Sequence, residues 1–273
     1  MKGKHHVDRF TIAYERTGQS ACPIFLFQPF PETEVAFKPL INELTKTHPQ
    51  ADFINFTLPG LGGKNRLIDH KFNLKLEDYS ELIHDFIRSF ETENFKVVGC
   101  SLGGFMASYM LSKKIINPEK VVLLSPFLDP HKLLTHSLQF QRLLLTGAYR
   151  LGFHLRTILT LNYIYIWLME WHKKATAFSS RFVPEAMRDF LKADEKESFF
   201  LFDELLKLNR IEIENYKKRI LVVVGEKDIP DIIDDCHRLG EEGFSLEVIK
   251  DGTHGYLFLD PVQTAQKITK FLF

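Results

Sequence analysis

Short runs of β-branched and aromatic residues alternate along the chain with stretches whose apolar positions recur every three to four residues. Residues 7–14 read as an opening strand, and residues 23–28 as a second that ends in a proline-rich turn at Pro29, Phe30 and Pro31. Helical spacing follows over 35–47, with Val35, Leu40, Ile41 and Leu44 on one face. Residues 52–58 form the next strand. Residues 76–90 repeat the helical period at Leu82, Ile83, Phe86, Ile87 and Phe90. Then come a strand over 95–100, a helix over 102–116 ended by Pro118, and a strand over 120–125. The rhythm returns late, with a strongly apolar strand at 219–225 and a helix at 231–240 stopped by glycine. A strand at 245–249 and a closing helix at 261–273 with proline at its start complete it. Continuous apolar strands alternating with helices predict an α/β fold, a mostly parallel central sheet covered by helices on both faces.

Residues 126–218 break that alternation. They hold few strand signals, and 133–145, 151–171, 184–192 and 198–208 all carry helical spacing. The expected organisation is therefore a core of residues 1–125 and 219–273 interrupted by a helical insertion at 126–218. Residues 151–171 are rich in Leu, Ile, Tyr and Trp but include His154, Arg156, Asn162 and Glu170. Their longest unbroken apolar run, 163–169, falls far short of the roughly 20 residues a spanning helix needs. A buried or interfacial helix is expected there, with peripheral membrane contact as the lesser alternative. Its apolar positions exceed one stripe, which fits either packing against the core or the lining of an apolar cavity.

Composition narrows the function classes. Lys+Arg and Asp+Glu both number 35, so there is no basic excess of the kind a nucleic-acid partner selects. Cys22, Cys100 and Cys236 are few, far apart and odd in number, so neither a disulfide framework nor a zinc site is expected. The first ten residues lack the apolar core of a secretory signal, and a reducing, cytoplasmic location is expected. His5 and His6 are expected to be a flexible, solvent-exposed pair. The 25 phenylalanines, against 2 tryptophans, favour a thick aromatic core or an apolar pocket.

The string that carries chemistry is Gly99-Cys100-Ser101-Leu102-Gly103. Three fixed positions of this kind arise by chance in about one chain in ten of this length. Here the string directly follows an apolar strand and opens a helix, the setting that a strained nucleophile turn requires. A serine there lifts its Oγ toward solvent, and side chains two residues to either side would strike neighbouring backbone, so glycine stands at both places. Serine needs a base, and the base needs a group to orient it. Asp228 closes the strand at 219–225, and His254 lies between Gly252 and Gly255 in the loop after the strand at 245–249. Both sit at C-terminal strand edges, where open α/β sheets place their ligand sites. Glu226 and Asp129 are alternative acids, ranked behind Asp228. Cys100 is expected to pack rather than react.

These segments resemble the α/β-hydrolase superfamily in its capped, esterase- and lipase-like branch. The strand, the Gly-x-Ser-x-Gly string and the helix are matched by residues 95–116, the acid loop by Gly225 to Asp228, and the histidine loop by Gly252 to Gly255. Residues 58–62 resemble the family's Asp-x-Pro-Gly-x-Gly loop, with Thr57 at the acidic place. The resemblance implies that residues 126–218 form a cap over the site. It further implies an oxyanion hole made by the N–H groups of Leu102 and Phe30, although Gln28-Pro29 replaces the common His-Gly.

The expected function is cleavage, through an acyl-enzyme, of a carboxylic ester of a small apolar substrate, by Ser101, His254 and Asp228 without metal or cofactor. The alternatives are a non-catalytic protein of this fold that binds an apolar ligand, or an acyltransferase, thioesterase or carbon–carbon hydrolase using the same three residues.

Overall fold

The computed structural model describes residues 1–7, 10–30, 35–58, 74–139 and 195–273, with the backbone alone for 195–199. The expected helices at 151–171 and 184–192, the end of the one at 133–145, and the glycine loop at 59–62 lie outside the described residues.

Eight strands form one sheet: β1 (Lys2–Val7), β2 (Phe10–Thr17), β3 (Ile24–Phe27), β4 (Phe53–Phe56), β5 (Lys96–Cys100), β6 (Lys120–Leu124), β7 (Ile220–Gly225) and β8 (Ser245–Ile249). Their order is β1-β2-β4-β3-β5-β6-β7-β8. The β1–β2 and β2–β4 pairs are antiparallel and every other pair is parallel. The helices are α1 (Lys38–Thr47), α2 (Leu76–Arg88), α3 (Leu102–Ser112), α4 (Pro130–Thr135), α5 (Glu195–Leu206), α6 (Pro230–Glu241), α7 (Tyr256–Leu259) and α8 (Pro261–Leu272). Among the described residues, no helix is long and apolar enough to cross a membrane.

Strand periodicity divides the core into two layers. In β7, Ile220, Val222 and Val224 pack with α2, α3 and α6, whereas Leu221 and Val223 pack with α1, α7 and α8. The first layer continues without a break into Leu133 and Leu134 of α4 and Leu201 and Leu205 of α5. Helices α4 and α5 therefore share the core of the sheet, and α4 packs on both α5 and α6.

Five expectations change. The opening strand is a hairpin of β1 and β2, with Val7 opposite Phe10. His5 and His6 are thus ordered in an edge strand, where His6 Nδ1 lies 2.9 Å from Thr11 Oγ1. Helix α1 starts at Lys38 rather than residue 35, because Pro39 has no N–H to give the carbonyl of Val35 and belongs in a first turn. Helix α3 stops at Ser112, well before Pro118. Lys114 takes a left-handed φ of 57°, and the N–H groups of Ile115 and Lys114 close back on the carbonyls of Met110 and Leu111 at 2.9 Å each. Helix α6 runs through Gly240 to Glu241 and is closed off by Gly243, whose φ is 93° and whose successor Phe244 bonds back to Leu239.

Candidate active site

The turn between β5 and α3 is set by close backbone approach. Ser101 has φ 50° and ψ −116°, an uncommon conformation for a residue with a Cβ. Its N–H donates to the Leu124 carbonyl of β6 and its own carbonyl accepts from Phe105, both at 2.9 Å. A Cβ on Gly99 would lie 2.6 Å from the Gly103 carbonyl oxygen, and one on Gly103 only 2.0 Å from that of Phe27. The two glycines let the end of β3 press against the first turn of α3. Cys100 is buried in the opposite layer with Val98 and Leu124, so its thiol is packed away from the turn.

Ser101, Asp228 and His254 meet. The Nε2 of His254 lies 3.0 Å from Ser101 Oγ, and its Nδ1 lies 2.7 Å from Asp228 Oδ1. Asp228 is buried, and the Ile229 N–H donates to its Oδ1 at 2.7 Å while the Ser125 hydroxyl donates to its Oδ2 at 2.5 Å. Burial pushes the carboxyl up, but the charge of His254 and these hydrogen bonds outweigh it and hold Asp228 below its ordinary value. A carboxylate can only accept, so Nδ1 carries the proton and Nε2 turns its lone pair toward Ser101.

The loops bearing the acid and the histidine are joined by backbone. The Lys227 N–H donates to the Gly252 carbonyl at 2.7 Å, and the Glu226 N–H to that of Ile249 at 3.0 Å. The alternative acids have other tasks. The Glu226 carboxylate accepts the Asp251 N–H at 2.8 Å, and Asp129 caps α4 by accepting the Lys132 N–H at 2.8 Å.

Ser101 and His254 open onto a cavity of about 210 Å³. They are its only polar lining side chains among the described residues; the rest are apolar, most of them from α4, α5, α6 and the segments beside them, with Phe30, Leu102 and Phe127 completing the wall. Leu102 and Phe30 both border it next to Ser101, and the Phe30 ring stands edge-on to Phe202 of α5, with centroids 5.2 Å apart. In place of the common His-Gly, Gln28 donates through Nε2 to Asn55 of β4, a buried residue. Sequence reasoning missed Asn55, Ser125 and Tyr256. Their polarity inside apolar strands or beside the histidine loop was the available signal. Among the described residues, no cluster of three or more His, Cys, Asp or Glu side chains is placed to hold a metal ion.

A model of the alpha/beta hydrolase family matches residues 30–267, a span that includes the serine turn after β5. The chain belongs to the alpha/beta hydrolase family. Solved structures of this fold align over nearly the whole chain. A thermophilic esterase from Thermogutta terrifontis has a TM-score of 0.77 at 15% identity, covering 100% of this chain and 98% of its own. A carboxylesterase from the thaumarchaeon Nitrososphaera gargenis has 0.74 at 14%, covering 99% and 97%. A bromoperoxidase from Bacillus anthracis has 0.71 at 16%, covering 100% and 99%. At these identities the likeness speaks for the fold alone. No curated protein matches the sequence.

Proposed function

We propose that this alpha/beta hydrolase is a serine hydrolase that cleaves a carboxylic ester of a small apolar substrate. The observation that carries the reading is the unbroken hydrogen-bonded chain from Ser101 through His254 to Asp228 at the base of an apolar cavity. Ser101 Oγ attacks the ester carbonyl carbon while His254 Nε2 accepts its proton. The N–H groups of Leu102, at the positive end of α3, and of Phe30 stabilise the oxyanion. As the tetrahedral intermediate collapses, His254 returns the proton to the departing alkoxide, leaving an acyl group on Ser101. A water, deprotonated by the same imidazole, attacks that acyl carbon, and the acid and free serine are released. Asp228 keeps the imidazole in the productive tautomer and stabilises its cationic form.

Among the described residues, the lining holds no carboxylate, ammonium or guanidinium to pair with a charged substrate group, which favours a neutral acyl portion. Residues 126–218 act as a cap, with α4 and α5 forming the wall over Ser101. Three free cysteines and balanced charge favour a cytoplasmic enzyme without a nucleic-acid partner. The esterases among its structural neighbours agree with this choice of bond. The test is labelling by a fluorophosphonate probe together with turnover of short p-nitrophenyl esters. Both are expected in the wild type and lost in Ser101→Ala; turnover retained by pure Ser101→Ala protein refutes the assignment.

A further inference from the structure

The end of β6 carries a hydroxyl that the ester-cleaving steps leave without a task. Ser125 is fully buried, and its φ of 47° lies in the left-handed region, which costs a residue with a Cβ. Its N–H donates to the Val223 carbonyl of β7 at 2.8 Å, fixing it across the strand pair beside the acid loop. Its Oγ donates to Asp228 Oδ2, the oxygen that neither His254 nor Ile229 touches. Tyr256, two positions after His254 and wholly buried, donates to the same Val223 carbonyl at 3.0 Å. A polar chain thus runs from Ser125 through Asp228 and His254 to Ser101.

The torsion that turns a carboxylate about its last bond is broad and roughly two-fold. The donors at Oδ1 leave the carboxylate free to swing about that oxygen. A second donor at Oδ2, carried on a strand, removes that freedom and sets the plane in which Oδ1 meets His254 Nδ1. We propose that Ser125 is a positioning residue of the hydrolase site, its hydroxyl fixing the carboxylate plane of Asp228 and through it the imidazole of His254. This rests on the serine-hydrolase reading above. Backbone strain at a buried non-glycine residue persists where the surroundings require that side chain, and here the requirement is the Oδ2 contact.

The same bond tempers the carboxylate. With one oxygen already holding a hydroxyl proton, Asp228 grips a protonated His254 less strongly, and the base is freed at lower pH. The other titratable groups facing Asp228 are Tyr256 and Cys236, and burial pushes both to titrate well above their ordinary values, so they stay neutral while His254 titrates.

Two variants test the assignment in the full-length protein, with probe labelling and p-nitrophenyl butyrate turnover followed across pH. Ser125→Ala removes the hydroxyl. Ser125→Gly removes it at a backbone angle that suits glycine and so keeps the fold. Both are expected to lower kcat roughly ten- to a hundredfold, by analogy with the loss when a hydrogen-bond partner behind a metal ligand is removed. KM stays within about twofold, and the acid limb of kcat/KM moves to higher pH because the carboxylate no longer shares its charge. Wild-type rate and pH profile in Ser125→Gly overturn the proposal, as does a loss confined to KM or to melting temperature. If the wild type itself fails to label at Ser101, the hydrolase reading falls. If the wild type labels and Ser125→Gly labels equally fast, only the role of Ser125 falls.

Discussion

Asp228→Asn separates two ways in which an acid can assist a histidine. An amide differs from a carboxylate by one charge and by having a donor on one side, and the cost depends on which way it faces. The Oδ1 position receives both the Ile229 N–H and His254 Nδ1, whereas Oδ2 receives only the Ser125 hydroxyl. Turning the amide nitrogen toward Oδ1 would set a donor against the Ile229 N–H and leave it unsatisfied, a penalty of about 1–3 kcal/mol. Turning it toward Oδ2 meets a hydroxyl that can rotate to accept. The oxygen therefore stays facing His254, and the imidazole keeps its productive tautomer. What is lost is the attraction between the carboxylate and the imidazolium that forms during reaction. At an effective dielectric near 20 and a separation of ~4 Å that attraction is on the order of 4 kcal/mol, and a neutral acceptor retains part of the bond. A loss of about 2–4 kcal/mol corresponds to roughly 30- to 10³-fold in kcat/KM. The assay is steady-state turnover of p-nitrophenyl butyrate by the variant, with circular dichroism to verify folding. A loss of about 10⁴ or more, the level produced by the wrong tautomer, would refute the orienting role of the Ile229 N–H. Undiminished activity would remove Asp228 from the mechanism.

Three further outcomes are expected. Gly103→Ala forces a Cβ to within 2.0 Å of the Phe27 carbonyl oxygen, whereas at Gly104 the nearest atom is 3.2 Å away. Denaturant titration should show a loss of about 3 kcal/mol or more for the first and within ~1 kcal/mol for the second. Asp231, on α6, is held down to about 2 although burial pushes it up, because the Ser137 N–H, His136 and Lys132 bind its carboxylate from α4 and the turn after it. A depressed carboxyl adds stability that is complete above its unfolded value, ~3.9, and is lost as pH falls toward 2; Asp231→Asn should remove that part of the acid dependence in melting curves while lowering stability at neutral pH. Leu205→Phe narrows the cavity, so kcat/KM for octanoyl esters should drop roughly tenfold or more relative to acetyl esters, and equal losses for both would place the acyl chain elsewhere.

The parts of the fold and site legible in the sequence are those decided by a few neighbouring residues. Gly99 and Gly103 announce the turn that carries Ser101, since both stand within one strand–helix step, Gly99 against the first turn of α3 and Gly103 against the end of β3. The unbroken apolar run of β7 declares a strand buried on both faces before any partner is known. Helix ends were less legible. Pro39, Lys114 and Gly243 terminate or start helices through hydrogen bonds whose closure depends on the actual backbone angle, and Gly240 and Pro118 looked equally able to do so.

Tertiary structure alone decided which polar groups meet. His254 reaches Ser101 across 153 positions, and Ser125 reaches Asp228 across 103, because β5, β6 and β7 pair side by side and deliver their C-terminal ends to one edge. The sequence could propose His254 and rank Asp228 ahead of Asp129 from their places after strands, but it could not reveal that Ser125 holds the far side of the carboxylate. Local chain geometry is encoded by residues within a turn of one another. Hydrogen-bond partnership inside the core is set by strand order and register, which emerge only when the whole apolar surface of the sheet is buried at once.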